Sequence, residues 1–305
     1  MKRILLVFFI LTHFQQITAQ YTEIINSKRP GFSESPYGVG NDVYQFEAGL
    51  FYKNSNDESL IAYPKTLGGE LFFRFGKFIE RLEVNLNVAY QTDEVKNPFG
   101  DNYHISGISD LRFGAKYLIY QQEFTDKSKE IRSWKKRTSF DKKRLIPSVG
   151  VYGGINTNFL SENYKSEGIS FKGAVLLQND FSDRLVVLTN LVVDDIASES
   201  MLYSYIVTMT YAINQNWSFF IENVGKYETG FSPEYQIGTG LAYLISPNLQ
   251  VDASIRTNIF DNYSYLFAST GLAWRLDRHQ DSLIESQSTQ SSTKKGFFSK
   301  LFGKN

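Results

Sequence analysis

Twelve ionisable side chains recur along the chain in mostly apolar surroundings: Glu47, Glu70, Arg74, Arg81, Glu83, Asp110, Arg112, Lys116, Lys172, Glu222, Asp252 and Arg256. They number six of each sign. Charges that alternate with apolar residues along extended backbone share one face. Across an enclosed space such charges do one of two things. They pair into a salt-bridged structural lining, or they form a selectivity region that orients a solute with a polar head and an aromatic or aliphatic body. Balanced signs argue against strong selectivity for anions or for cations. Phe51, Phe72, Leu118, Tyr152 and Phe220 share the charged face and either supply apolar surface for such a solute or fill space.

Other chemistries find little to stand on. Hydrolysis by an activated serine needs a histidine base beside it. The chain has 3 His, namely His13, His104 and His279. Only His104 has suitable neighbours, Asp101, Ser106 and Ser109, and the spacing places it in a loop. With 0 Cys there is no thiolate metal site, disulfide framework, iron–sulfur cluster or cysteine nucleophile. Asp93, Asp101 and Asn102 do not match a calcium loop. No catalytic residue, metal site or cofactor is expected, and the chain is not read as an enzyme. A formal net charge of zero argues against a nucleic-acid partner.

Elements that put the charges on one face must be strands. Residues 81 to 91 set Leu82, Val84, Leu86, Val88 and Tyr90 against Arg81, Glu83, Asn85, Asn87 and Gln91. Tyr44, Phe46, Ala48, Leu50 and Tyr52 likewise oppose Gln45, Glu47, Gly49 and Lys53, and Leu111, Phe113, Ala115, Tyr117 and Ile119 oppose Asp110, Arg112, Gly114 and Lys116. The same period gives about 12 strands in all. The fifth, near 145 to 156, contains Pro147, which belongs at a strand start or a bulge.

These strands suit a membrane. They run about 10 to 12 residues, the length a tilted strand needs to cross the hydrocarbon layer, where only closure removes unpaired edges. Tyr44, Tyr52, Tyr90, Tyr117, Tyr211, Trp217, Tyr235, Tyr243 and Trp274 lie near row ends, as an interfacial girdle requires. Even-numbered connections are short, for example Phe181-Ser182-Asp183 and Ser246-Pro247, while odd ones, such as 92 to 106, are longer and polar. The basic stretch 121 to 143 breaks this rule. The expected fold is an all-β, antiparallel transmembrane outer-membrane β-barrel.

The termini frame the barrel. Lys2 and Arg3 precede an apolar run from Ile4 to Leu11, and Ile17-Thr18-Ala19 is a small-residue cleavage site, so 1–19 reads as a secretory signal cut after Ala19. Residues 20–42 form an N-terminal segment that is either a strap at the periplasmic rim or a plug in the lumen, with Arg29, Pro30, Glu34 and Pro36 as the candidate plug residues. The barrel occupies 43–276. The tail, 277–305, joins a Ser/Gln-rich linker to a short basic amphipathic end. Expected partners are outer-membrane lipids, a small-molecule solute and the barrel-assembly machinery during insertion, with a periplasmic partner reached through 121–143 or the tail.

The sequence also resembles a known family. Ser27-Lys28-Arg29-Pro30-Gly31-Phe32-Ser33-Glu34-Ser35-Pro36-Tyr37, followed by Tyr44-Gln45-Phe46-Glu47-Ala48-Gly49, is similar to the opening signature of the outer-membrane transporter family named for the meta-cleavage pathway of phenol degradation. Gly107-Ile108-Ser109-Asp110-Leu111, Phe220-Ile221-Glu222 and Leu249-Gln250-Val251-Asp252 extend the resemblance over nearly the whole barrel. The long basic insertion and the tail depart from the pattern. The resemblance implies passage of a small molecule and does not fix a phenol as the substrate. Two alternatives stay open: a closed structural or adhesive barrel, and a membrane-embedded lipid-modifying enzyme.

Overall fold

The computed structural model describes residues 24–55, 65–77, 79, 81–97, 100–124, 140–165, 168–198, 201–228, 231–260 and 264–278. The proposed leader, most of the basic insertion, the tail beyond 278, His13 and His279 lie outside the described residues.

Twelve strands follow one another: β1 Val43–Ser55, β2 Lys65–Gly76, β3 Leu82–Val95, β4 Tyr103–Tyr120, β5 Ser148–Asn156, β6 Ser170–Asp180, β7 Leu185–Ile196, β8 Leu202–Ala212, β9 Trp217–Glu228, β10 Glu234–Ser246, β11 Leu249–Ile259 and β12 Tyr265–Asp277. Each pairs antiparallel with its sequence neighbours, and β1 closes on β12 from Val43↔Asp277 to Ser55↔Tyr265. Closure leaves no edge with unpaired backbone groups, a condition for residence in hydrocarbon.

The burial pattern is that of a soluble protein turned inside out. Leu50 and Leu71 on the outer face are 65% and 62% exposed, while Gln45, Glu83 and Glu222 on the inner face are fully buried. Lipid therefore takes the place of a hydrophobic core. At the end carrying the short turns, rings form a belt on the outer face: Phe46 stacks on Trp274 with centroids 5.7 Å apart, Tyr44 on Phe75 at 6.4 Å, and Trp217 meets Tyr243 at 4.7 Å. That end corresponds to the periplasmic side of outer-membrane barrels. Its connections are 77–81, 121–147, 181–184, 213–216 and 247–248, of which only 121–147 is long. Pro147 stands just before β5, where its missing N–H removes no ladder bond.

Two expectations need correction. The third hairpin is longer than its alternation indicates: β3 and β4 pair out to Val95↔Tyr103, leaving only 96–102 as the connection. His104 is consequently a strand residue opposite Glu94, not a loop residue. The cause is a bulge. Ala89 faces Asp110 and Tyr90 faces Ile108, so Ser109 is an extra residue that reverses the parity of β4 beyond it. The second correction concerns Arg81. It precedes β3, where the turn closes through Leu82 N–H to the Ile79 carbonyl, and its guanidinium donates to the Ile119 carbonyl at 3.3 Å in an exposed contact at the barrel end. Its carbonyl accepts from Leu118 N–H at 3.1 Å, so Arg81 stands at the barrel end, one residue outside β3.

Residues 24–42 run across the inside of the barrel. Ile25 N–H donates to the Pro247 carbonyl at 2.9 Å, and from there the segment meets β1, β2 and β11 through Arg29, β9 through Phe32, β7 and β4 through Glu34, β6 through Ser35, β5 through Tyr37 and β3 through Val39 before Asp42 N–H joins the Gly76 carbonyl at 2.8 Å. Of the two placements left open by the sequence, the geometry is that of a segment in the lumen.

Candidate functional site

The wall supplies a connected set of charges. Strand register brings Arg74 of β2 between Glu47 of β1 and Glu83 of β3, with its Nη1 3.1 Å from Glu47 and its Nη2 2.8 Å from Glu83. Lys116 of β4 stands 3.3 Å from Glu83. Across the barrel, Arg256 of β11 pairs with Glu222 of β9. Lys172 of β6 lies 2.7 Å from Asp194 of β7, and Arg112 of β4 is 3.7 Å from both Asp110 and Asp194. Each of these charges faces one of opposite sign across a confined space.

The N-terminal segment completes this set. Arg29 is 8% exposed and pairs with Glu70, and with Asp252 at 3.2 Å. Its guanidinium lies over Gly49 and Gly271, which face each other in the β1–β12 register, and a Cβ on either would collide with it. Those two glycines leave the space in which an arginine reaches two carboxylates at once. Glu34 takes Lys116 at 3.3 Å, while Asn190 of β7 accepts from the Glu34 N–H at 2.6 Å and donates to its carbonyl at 2.9 Å.

An irregular chain in an enclosed space must find partners for its backbone donors, and wall carboxylates provide them. Glu222 accepts from Phe32 N–H at 3.0 Å and Ser33 N–H at 3.1 Å, Glu83 accepts from Val39 N–H at 3.0 Å, and Glu47 accepts from Arg29 N–H at 3.3 Å. Pro30 and Pro36 have no N–H to satisfy, and Pro36 lies against Gly150 of β5, where a Cβ would meet it at 2.9 Å. Burial alone would raise the Glu34 carboxyl, but Lys116, Lys28 and Arg74 outweigh it and hold the group down at about 2. Burial pushes the Tyr37 phenol up to about 12, against the opposing effect of its 2.6 Å hydrogen bond to Ser148 of β5.

Of the twelve charges read from alternation, Glu47, Glu70, Arg74, Glu83, Asp110, Arg112, Lys116, Lys172, Glu222, Asp252 and Arg256 come together here and Arg81 does not. Among the candidate segment residues, Arg29 and Glu34 make the contacts. Sequence reasoning passed over Lys28, Phe32, Tyr37, Gln178, Asn190, Asp194 and Lys226. Inward parity was the available signal for the last four. The first three stand in the opening motif that carries the family resemblance, but nothing local gives their partners, which are far away in sequence.

The segment divides the lumen into two chambers. Toward the long-loop end lies a cavity of about 230 Å³, lined by Lys28, Lys172 and Lys226, by the carboxylates Glu47, Glu70 and Asp194, and by apolar side chains that include Phe32, Phe72 and Val224. Toward the short-turn end lies one of about 250 Å³, lined by amides and hydroxyls that include Gln178, Thr208, Thr210, Ser218 and Gln250. Lys28, Arg29 and Gly31 line both, so the partition is a single chain thick.

An outer-membrane channel from Pseudomonas putida F1 shares the architecture, with a TM-score of 0.58 and 8% identity over 82% of this chain and 100% of that one. The Pseudomonas putida toluene transporter TodX aligns at a TM-score of 0.45 and 10% identity, over 84% of this chain and 97% of that one. No functionally curated sequence matches the chain. At the level of sequence, a family model covers residues 27–276, taking in most of the lumen segment, the wall charges and the twelve strands, and by that match the chain belongs to the family described as the MetA-pathway of phenol degradation.

Proposed function

We propose that this chain is a channel of the bacterial outer membrane, exported with loss of residues 1–19 and inserted by the barrel-assembly machinery, that passes a small, partly apolar solute without chemical change. Residues 24–42 act in it as a displaceable plug. The observation that carries this reading is the pair of chambers separated by one thickness of chain. A structural barrel needs no such cavities, whereas a solute path needs both and a partition that yields. Membership of a family named for a degradation pathway and a channel of like fold support it.

Size limits follow. A cavity of about 230 Å³ admits a single-ring solute, since apolar cavities of roughly 150 Å³ already take up benzene. It is too small for an oligosaccharide.

Planar-bilayer conductance tests the reading. Residues 20–305 are compared with a chain starting at Asp42, both shown to be folded by heat-modifiable gel mobility. Rare steps in the longer chain and steady steps in the shorter one are expected. Silence in both would refute an aqueous path.

A further inference from the structure

The long-loop chamber holds a charge that the wall does not neutralise. Arg29, Arg74, Arg112, Lys116, Lys172, Lys226 and Arg256 each have a carboxylate within ion-pair distance. Among the described residues Lys28 has none. Its backbone N–H reaches Glu47, but its ammonium stands 4.9 Å from the centre of the Phe72 ring and faces the cavity. An ammonium held over an aromatic face gives up less than an ion pair provides and keeps its hydrogen-bond donors for another partner. Lys172 and Lys226 line the same cavity, so three ammonium groups surround one space.

Three carboxylates also line the chamber, each already held by a cation: Glu47 by Arg74, Glu70 by Arg29 and Asp194 by Lys172. Asn87 and Ser204 add polar groups, and the remaining side chains are aromatic and aliphatic. Phe32 meets Phe267 edge-on at 5.5 Å and Phe267 stacks on Phe51 at 5.8 Å, continuing the ring surface toward the long-loop end. Phe72, Ile206 and Val224 complete the wall. On this lining the cations Lys28, Arg29, Lys172 and Lys226 exceed the carboxylates Glu47, Glu70 and Asp194 by one, and that net positive charge beside apolar rings in a cavity of about 230 Å³ matches a molecule with one anionic group and a single-ring or short-chain body.

We propose that the long-loop chamber is a binding site for small monoanionic acids, with Lys28 as the counter-ion of the carboxylate or phenolate and the aromatic walls as the seat of its body. This deepens the channel reading and rests on it. Lys28 belongs to the plug and lines both chambers. The group that recognises the anion is thus on the element that must move for the anion to pass, which makes Lys28 a specificity-determining residue.

Equilibrium binding tests this independently of flux. The full chain in detergent is titrated calorimetrically with benzoate, benzamide and benzylammonium, while passage of a small neutral solute is followed by liposome swelling. Benzoate is expected to bind most tightly and benzylammonium least. Lys28→Met should weaken benzoate by about tenfold or more, the scale of a lost charge-assisted contact, leave benzamide unchanged, and be rescued by Lys28→Arg. Equal binding of benzoate and benzamide, no benzoate binding, or a Lys28→Met variant that binds benzoate normally would each overturn the proposal. Swelling that persists in those cases leaves the channel standing, and benzoate binding without swelling supports the site and removes the channel.

Discussion

Replacing Arg29 by alanine isolates what holds the plug in place. The arginine neutralises two carboxylates of unlike exposure: the Asp252 side chain is fully buried, while that of Glu70 is 39% exposed. The Glu70 pair is half wet and contributes within the small range of surface pairs. The Asp252 pair dominates. Arg29 donates to Oδ1 of Asp252 while Oδ2 has no hydrogen-bond partner, so removing the guanidinium leaves a buried, uncompensated carboxylate. Breaking a buried pair in this way costs ~3–5 kcal/mol. Departure of the plug relieves that cost by letting water reach Asp252, so it falls on the docked state rather than on the barrel. The undocked population should then rise by about two to four orders of magnitude. Planar-bilayer recordings should show frequent openings, and protease should cut residues 24–42 in barrels whose heat-modifiable mobility is unchanged. Asp252→Asn in the same chain removes the stranded charge and should restore much of the docking, a coupling that a double-mutant cycle measures. Openings and proteolysis of Arg29→Ala equal to those of the parent chain would show that the plug is held by something other than this pair.

Two further outcomes are expected. The Glu34 carboxyl sits at about 2 when docked, against an ordinary 4.5, so docking gains its full electrostatic contribution above pH 4.5 and loses it as pH falls toward 2. Openings should increase by up to about tenfold per pH unit across that window, with Glu34→Gln removing the dependence; openings that track pH equally in both chains would assign it to other groups. On the lipid face, Leu71→Arg should destabilise the folded barrel in bilayers by ~2–4 kcal/mol and Leu67→Arg, nearer the strand end, by at most about 1, as read from urea titrations. Equal costs would mean that these positions do not lie at different depths.

The strands and their inward charges are legible because period two is a local property. Leu71 and Arg74 declare opposite faces from their neighbours alone. Pairing within the lumen is not local in this sense. Arg74 meets Glu47 and Glu83 through the registers Glu47↔Phe72 and Arg74↔Asn85, which depend on where two hairpins close. The outer half of β4 is hidden for a different reason: the bulge at Ser109 interrupts the alternation, so the stretch around His104 looks like loop. Asp194 lies beside a second irregularity, where Phe171 faces Ile196 and Gly173 faces Val193, and there too parity weakens. The plug escapes any periodic reading. Its extended backbone is specified by wall groups up to 223 residues away, as with Arg29 and Asp252. Only its prolines and glycines mark it as irregular.

The lumen network sorts into two classes, and the sorting bears on how a plug can be both firm and removable. Glu47–Arg74–Glu83–Lys116, Arg256–Glu222 and Lys172–Asp194 join wall to wall. They survive departure of the segment and keep every one of those side chains neutralised. Arg29–Glu70, Arg29–Asp252 and Lys116–Glu34 join segment to wall, and they are the pairs exchanged for water on opening. Lys116 belongs to both classes, so it loses Glu34 without losing Glu83. Had every wall charge depended on the plug, opening would strand charges around the whole lumen and the closed state would be permanent. Here the stranded charges are confined to Glu70 and Asp252, both answering to Arg29, while Glu222 keeps Arg256 and Thr208, the latter at 2.6 Å, after Phe32 and Ser33 withdraw. A solute anion entering beside Lys28 would draw on the neighbour of that same arginine, which places recognition one residue from the principal latch.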